Sequence, residues 1–379
     1  MSHTLPPVEL SGAVGDAIVR LGARSSCIFL ADHDQMSLHP LPPGAGDEQS
    51  FAVDGTVGGR AYTFETKVAV PNGEGDGVRV WLPLVNGTAR LGVLSVDLDD
   101  PGAVDDAALE RLAALAAELL MTKNQYTDVI ELTRRQQRMS LEAELQRCTL
   151  PPVALITPRV SVAGMLLPAY DVAGDSFDYA LNHHDVAVAV IDSVGHELMS
   201  SLISHLVSGS LRNSRRAGLD LAAAYAAADA AVAGVFADLR FATAAFGGLD
   251  LRSGCFRWVS AGHPPPLVVR DGRVVGEAET RPVVPIGLGG VDPPVNEVVL
   301  DPGDKLLLYT DGAVESGVRG GERFGLDRLV DLLGQNLLDA VPPAELLRRL
   351  VSAVLEHSAH ALRDDTTLLL VEYHGAGTG

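Results

Sequence analysis

The run Val186-Ala187-Val188-Ala189-Val190-Ile191-Asp192 decides how the chain is read. It is short, apolar and rich in β-branched residues, and it stops on a carboxylate. Such a run reads as a buried strand, whose terminal acid is held on a rigid element at the edge of a core. The pattern recurs at Lys305-Leu306-Leu307-Leu308-Tyr309-Thr310-Asp311-Gly312. Its mirror, with the acids first, is Asp364-Asp365-Thr366-Thr367-Leu368-Leu369-Leu370-Val371. If this third strand runs antiparallel to the other two, all three acidic groups gather at one end of the core. A fourth acid, Asp175, lies in Asp171-Val172-Ala173-Gly174-Asp175-Ser176-Phe177-Asp178. Clustered carboxylates repel one another and are costly unless cations neutralise them. Hard oxygen ligands on rigid strands suit Mg²⁺ or Mn²⁺. The residues therefore predict a two-metal hydrolytic site.

The rest of the chain narrows the setting. Its 379 residues allow two or three domains, and an apolar content of 47% is ample for packed cores. A formal net charge of -20 argues against a nucleic-acid partner. The basic pairs Arg134-Arg135, Arg215-Arg216 and Arg348-Arg349 read as solvated helix faces. Cys27, Cys148 and Cys255 are widely spaced and form neither a metal pattern nor a disulfide framework, which favours a reducing compartment. The N-terminus lacks a basic-then-apolar leader, and no run is long enough to span a bilayer. The expectation is a soluble cytoplasmic protein with no membrane partner.

Residues 8–120 read as a small α/β domain. A helix is predicted near Leu10 to Leu21. Strands are predicted at Ser26–Leu30, Val68–Val70, Val78–Leu84 and Leu91–Leu98, with Asn86-Gly87 as a hairpin turn and a helix starting near Asp105. The phrase Leu91-Gly92-Val93-Leu94-Ser95-Val96 and the Leu/Ala helix after it resemble a GAF sensor domain. The resemblance implies an unknown small ligand between sheet and loops. No Cys/His pair points to haem or a bilin.

From Asp105 to Gln146 the chain has no Pro or Gly and reads as helix, roughly 60 Å long if continuous. Residues 121–150 are the expected helical linker. Leu109, Leu112, Leu119, Tyr126 and Ile130 fit an a/d stripe, interrupted at Lys123 and spoiled at Thr133 and Gln137. Two readings stand side by side: a paired signalling helix that makes a homodimer, or a helix packed on its own domain. Pro151-Pro152 ends the segment.

Residues 153–374 form the other expected domain. A strand is predicted at Val160–Met165, and helices at Glu197–Leu211 and in the Ala-rich stretch Leu219–Phe236. Ala242–Leu251 and Cys255–Ser260 read as a hairpin. Many strands flanked by segregated helices suggest layers of sheet covered by helices.

Five runs in order now resemble a known family, the SpoIIE-type serine/threonine phosphatases of the metal-dependent PPM class. They are Ala173-Gly174-Asp175-Ser176-Phe177-Asp178, Asp192-Ser193-Val194-Gly195-His196-Glu197, Ala261-Gly262-His263-Pro264-Pro265, Tyr309-Thr310-Asp311-Gly312 and Asp364-Asp365-Thr366-Thr367. Gly321-Glu322-Arg323-Phe324-Gly325 fits as well. Taken alone, Asp311-Gly312 is a strand-ending turn and Asp364-Asp365 a solvated loop; their joint occurrence changes both readings. The resemblance implies an α-β-β-α sandwich. It also implies two Mn²⁺ or Mg²⁺ ions, with Asp175, Asp192, Asp311 and Asp364 as catalytic metal ligands. The Ser193 carbonyl is a further ligand, and Asp365 is a ligand or a supporting group. An activated water would attack phosphorus with no protein nucleophile. The implied substrate is a phosphoserine or phosphothreonine protein, and by analogy an anti-sigma-factor antagonist of the STAS fold. His196 is a candidate proton donor or phosphate ligand, whereas His263 reads as a brace of its hairpin. The sequence departs from the family's pattern at Ala173 and Glu197, each in place of a glycine.

Rival chemistries fit less well. A phosphoaspartate hydrolase needs a second acid two residues after a strand-ending one, which Asp192 and Asp311 lack. Asp32-His33-Asp34 and Asp97-Leu98-Asp99 have the spacing but not the Thr or Val expected two residues on. No Gly-x-Ser-x-Gly elbow is present. A reading from a different class is a non-catalytic phosphatase-fold binding module controlled by a ligand of the first domain.

Overall fold

The computed structural model describes residues 4–42, 49–72, 77–87, 89–100, 102, 104–171, 174–195, 198–236, 240–289, 292–318, 321–339, 341–359, 362 and 364–375. The chain divides into two compact units, Met1–Arg138 and Met139–Gly379.

The first unit contains α1 (Leu10–Arg20), β1 (Ser25–Ala31), β2 (Ser37–Pro40), β3 (Phe51–Ala52), α2 (Val57–Phe64), β4 (Val68–Pro71), β5 (Val78–Asn86), β6 (Ala89–Leu98), α3 (Asp106–Asn124) and α4 (Val129–Arg134). Its strands form one antiparallel sheet in the order β3-β2-β1-β6-β5-β4. Successive residues of a strand face opposite sides. Ile28 and Leu30 accordingly pack with Ile18, Leu109 and Leu120 under α1 and α3. Cys27 and Phe29 pack with Tyr62 and Trp81 on the face that carries α2. Asn86 pairs with Ala89, so β5 and β6 form a tight hairpin, and Gly87 takes the positive φ of 55° that such a turn needs.

The segment from Asp105 to Gln146 is three helices rather than one, the third being α5 (Leu141–Thr149). Hydroxyl side chains mark the breaks. Thr127 Oγ1 accepts from the Val129 amide at 3.3 Å, and Ser140 Oγ accepts from the Ala143 amide at 3.1 Å. A side-chain oxygen that satisfies a helix-start amide lets a new helix begin there, at the expense of continuing the old one. Leu109 and Ile130 of the expected stripe are buried in the first unit's own core, and Tyr126 is exposed. Leu109 and Ile130 thus pack within one unit, and the single continuous helix is corrected to three shorter ones.

The second unit continues with β7 (Ala154–Ile156), β8 (Val160–Leu167), β9 (Asp175–Leu181), β10 (Asp185–Ser193), α6 (Leu198–Arg216) and α7 (Leu221–Val235). Next come β11 (Ala242–Asp250), β12 (Cys255–Ala261), β13 (Leu267–Arg270), β14 (Arg273–Glu277), β15 (Asn296–Val299) and β16 (Lys305–Tyr309). The unit ends with α8 (Gly312–Glu315), α9 (Leu326–Leu338), α10 (Pro343–His357) and β17 (Thr366–Tyr373). One sheet runs β15-β12-β11-β10-β9 and the other β14-β13-β16-β17-β8-β7. Between them lies a core of Val162, Phe177, Val188, Val190, Trp258, Leu308 and Leu369. On the outer face of the first sheet, Ala189 and Ile191 pack with Val207 and Tyr225 of α6 and α7. On the outer face of the second, Leu307 and Leu370 pack with Leu329, Leu347 and Leu350 of α9 and α10. The result is the expected α-β-β-α sandwich. Strands covered on both faces must be apolar nearly throughout, which is why β8 and β17 have no polar alternation. Among the described residues no helix is long and apolar enough to cross a membrane.

Candidate metal centre

The acids are placed by strand register. β9 and β10 pair antiparallel with Asp175 opposite Asp192, so the first residue of one strand faces the next-to-last of the other. In the second sheet β16 and β17 pair antiparallel from Lys305↔Glu372 to Tyr309↔Leu368. That register brings Asp311, just past the end of β16, beside Asp364 and Asp365, just before β17. The two sheets then meet at this end. Asp175 Oδ2 accepts from Thr310 Oγ1 and from Thr367 Oγ1, each at 2.7 Å. In the reverse direction Asp365 Oδ2 accepts from the Gly174 amide at 2.7 Å and the Asp175 amide at 3.2 Å.

Four of the acids share one electrostatic environment with Asp192. Its carboxyl is pushed up to about 7 by burial, with Asp311, Asp364 and Asp365 adding to the shift. Asp175 is driven well above the usual carboxylate range by burial, then by Asp192 and Asp365; the two threonine hydroxyls work against this. Asp311 is raised by burial, then by Asp364 and Glu315. Among the described residues, the charged side chains that shift Asp192 are other carboxylates. Clustered carboxylates are costly without a cation among them, and these donors are hard oxygens on strand ends, so the residues fit Mg²⁺ or Mn²⁺. Among the described residues, no three acidic, imidazole or thiol side chains converge closely enough to hold one ion as they stand. Asp175 and Asp365 each turn an oxygen to protein donors.

The structure separates the roles of the predicted residues. Asp175, Asp192, Asp311, Asp364 and Asp365 come together. Ser193 Oγ donates to the Gly174 carbonyl at 3.0 Å and to the Ser200 carbonyl at 2.7 Å, fixing the end of β10 against α6. Asp178, the second acid of its motif, is not among the clustered acids. It is buried and paired with Arg212 at 2.9 Å and Arg215 at 3.1 Å. His263 is buried, with Nδ1 2.8 Å from Thr243 Oγ1, and burial lowers its pKa to about 4. It is a neutral brace between β11 and the loop after β12, as its sequence reading has it. His196, Glu197 and Ala173 lie outside the described residues.

Several supporting residues escaped the sequence reading. Thr310 and Thr367 sit inside quoted motifs, but their joint grip on Asp175 appears only when the two sheets are stacked. Gln146 of α5 is fully buried and its Nε2 donates to the Asp175 carbonyl. Ser204 of α6 donates to the Gly174 carbonyl. A Gln on an amphipathic helix carries no sequence signal for such a role.

Comparison with known proteins gives the family and the fold. The family model for stage II sporulation protein E (SpoIIE) matches residues 182–374. Protein IcfG of Synechocystis is 26% identical over 136 residues, which are 35% of this chain and 20% of that protein. The chain thus spans about a fifth of the curated relative it matches. The solved RsbU and RsbW domains of Rv1364c from Mycobacterium tuberculosis are 28% identical, with a TM-score of 0.51 over 58% of this chain and 63% of that one. The SiaA-PP2C domain of Pseudomonas aeruginosa shares the fold at 24% identity, with a TM-score of 0.51 over 61% of this chain and 94% of that one. The matched residues, about half of the chain, include Asp192, Asp311, Asp364 and Asp365, and by this match the chain belongs to the SpoIIE family.

Proposed function

We propose that the chain is a metal-dependent protein serine/threonine phosphatase, a phosphoric monoester hydrolase. One observation carries the reading: five carboxylates from four chain segments and two sheets gather at one end of a sandwich core, and the charges among the described residues that shift Asp192 are other carboxylates. Asp192, Asp311 and Asp364 would hold the ions directly, with Asp175 and the Ser193 carbonyl completing the set. Asp365 supports them by fixing the Gly174 and Asp175 amides, or ligates through its second oxygen. Bound Mn²⁺ or Mg²⁺ would supply positive charge and Lewis acidity for attack of water on phosphorus. The chain's own part is to hold the acids. Thr310 and Thr367 fix the Asp175 carboxylate, Ser204 and Gln146 fix the carbonyls of Gly174 and Asp175, and rigid strand ends carry the rest.

The substrate we infer is a phosphoserine or phosphothreonine protein, with a STAS-fold anti-sigma-factor antagonist as the favoured class. The likeness to Rv1364c, in which an RsbU domain and an RsbW domain occur together, supports a partner-switching setting. Residues 8–120 are read as a GAF-like sensor, 121–150 as a helical linker and 153–374 as the phosphatase domain.

Hydrolysis of p-nitrophenyl phosphate with Mn²⁺, with Mg²⁺ and with chelator tests the activity. Metal-dependent turnover lost in Asp311→Ala is expected. No turnover and no metal bound by calorimetry would leave a phosphatase-fold binding module in its place.

A further inference from the structure

The first unit holds a buried cation whose hydrogen bonds are not met. Arg90, at the start of β6, is 6% exposed. Its guanidinium lies 4.6 Å from the centre of the Tyr62 ring, and Nη2 donates to Gln35 Oε1 at 2.7 Å. The Tyr62 hydroxyl donates to the same oxygen at 3.1 Å. Arg90 Nε and Nη1 are buried and meet no acceptor. Guanidinium carries five N–H donors and a permanent charge, and leaving buried charged donors unpaired is expensive.

Elsewhere this chain treats such groups differently. Arg348, equally buried, is clamped by Glu345 through Nε at 2.8 Å and Nη2 at 2.9 Å. Even the less buried Arg79, with 26% of its side chain exposed, forks onto Asp97 through Nε at 2.8 Å and Nη2 at 3.0 Å. Among the described residues Arg90 has a neutral amide and a ring face, neither of which cancels its charge. The nearby acid is Glu65, which ends α2 with a left-handed φ of 52°. Burial raises the Glu65 carboxyl and Arg90 opposes that rise, yet no hydrogen bond joins them.

We propose that Arg90 is the base of a binding site in the first unit for a small anion bearing a carboxylate or a phosphate group. The anion would accept from Nε or Nη1, the donors that no acceptor among the described residues meets, with the charge-assisted hydrogen bond that a guanidinium gives a carboxylate or phosphate oxygen. Gln35 and the Tyr62 ring hold the guanidinium in place, and Glu65 competes with the ligand as a like charge.

The test is calorimetric titration of the full chain in chelator, where the metal-free acid cluster of the second unit repels anions. Inorganic phosphate and succinate, at matched ionic strength, are the probes and separate the two acceptor chemistries. Saturable binding of at least one is expected, weakened about tenfold or more in Arg90→Gln and tightened about threefold in Glu65→Gln. Glu65 is half-buried, so its variant keeps the test open even where Arg90→Gln does not fold. The proposal is overturned by a folded wild type that binds neither probe. It is equally overturned by wild-type affinity in a folded Arg90→Gln, or by Glu65→Gln binding no tighter than wild type.

Discussion

Gly312 and Asp365 meet backbone to backbone: a Cβ placed on Gly312 would lie 1.8 Å from the Asp365 carbonyl oxygen. This contact sets the spacing of Asp311 against Asp364 and Asp365. Gly312→Ala must therefore push the β16 and β17 ends apart. Displacements of about 1 Å at a reacting centre cost roughly a hundredfold in rate. We expect kcat on p-nitrophenyl phosphate to fall about a hundredfold in a chain that still shows native circular dichroism. Activity within threefold of wild type would contradict it.

Thr367→Val removes one of the two hydroxyls that hold Asp175 Oδ2. A lost hydrogen bond to a buried charged group costs about 1.5–3 kcal/mol. The loss should appear as weaker metal activation, a higher Mn²⁺ concentration for half-maximal rate, in preference to a lower rate at saturating metal. Thr310→Val should behave alike. Unchanged metal titrations in both would show the hydroxyls to be passive.

Asp192 gives the metal-free chain a pH signature. Its folded pKa of about 7 lies above its ordinary value of 3.8. The stability linked to it is therefore fully present below about pH 4 and is lost as pH rises through 7. Asp192→Asn carries no such loss. In chelator, the variant should gain on wild type as pH rises from 4 to 8, by about 2–4 kcal/mol in denaturant unfolding. Mn²⁺ should reverse the order, because it stabilises the chain that binds it better. A pH-independent difference in chelator would refute the assignment.

Asp178 is a contrasting case within the same motif as Asp175. Asp178→Asn leaves Arg212 and Arg215 beside a neutral amide. Both arginines are about a quarter exposed, so the cost is discounted to about 2 kcal/mol of stability. Metal affinity should stay within about twofold of wild type, since the residue is not among the clustered acids. A large loss of metal affinity at unchanged stability would place Asp178 in the site.

Gln146→Leu removes the amide that holds the Asp175 carbonyl from α5. We expect a modest drop in kcat of about tenfold, of the size produced by slight misplacement of a ligand. Thr149→Ala, on the same helix, should do less, because Thr149 Oγ1 lies 3.2 Å from His205 Nε2 and not against Asp175. Equal effects of the two would point to a general loosening of α5.

By itself the sequence determined the strands, because a strand buried on both faces must be apolar throughout and must end where a charge appears. Val186 to Asp192, Lys305 to Asp311 and the mirrored run from Asp364 could be read one by one for that reason. It also determined that the acids need cations, since carboxylates at strand ends have no other use for one another. Tertiary structure alone decided which partners each acid meets. Asp175 and Asp178 look alike three residues apart, but only Asp175 faces the other sheet, where Thr310 and Thr367 wait, while Asp178 meets two arginines of α6. Long-range donors such as Gln146 leave no periodic trace, because a helix face that buries one amide reads as amphipathic either way. The segment from Asp105 to Gln146 shows the same limit. Its helical propensity is continuous, and the breaks come from hydroxyl caps whose competition with the helix is settled by what each flanking helix packs against.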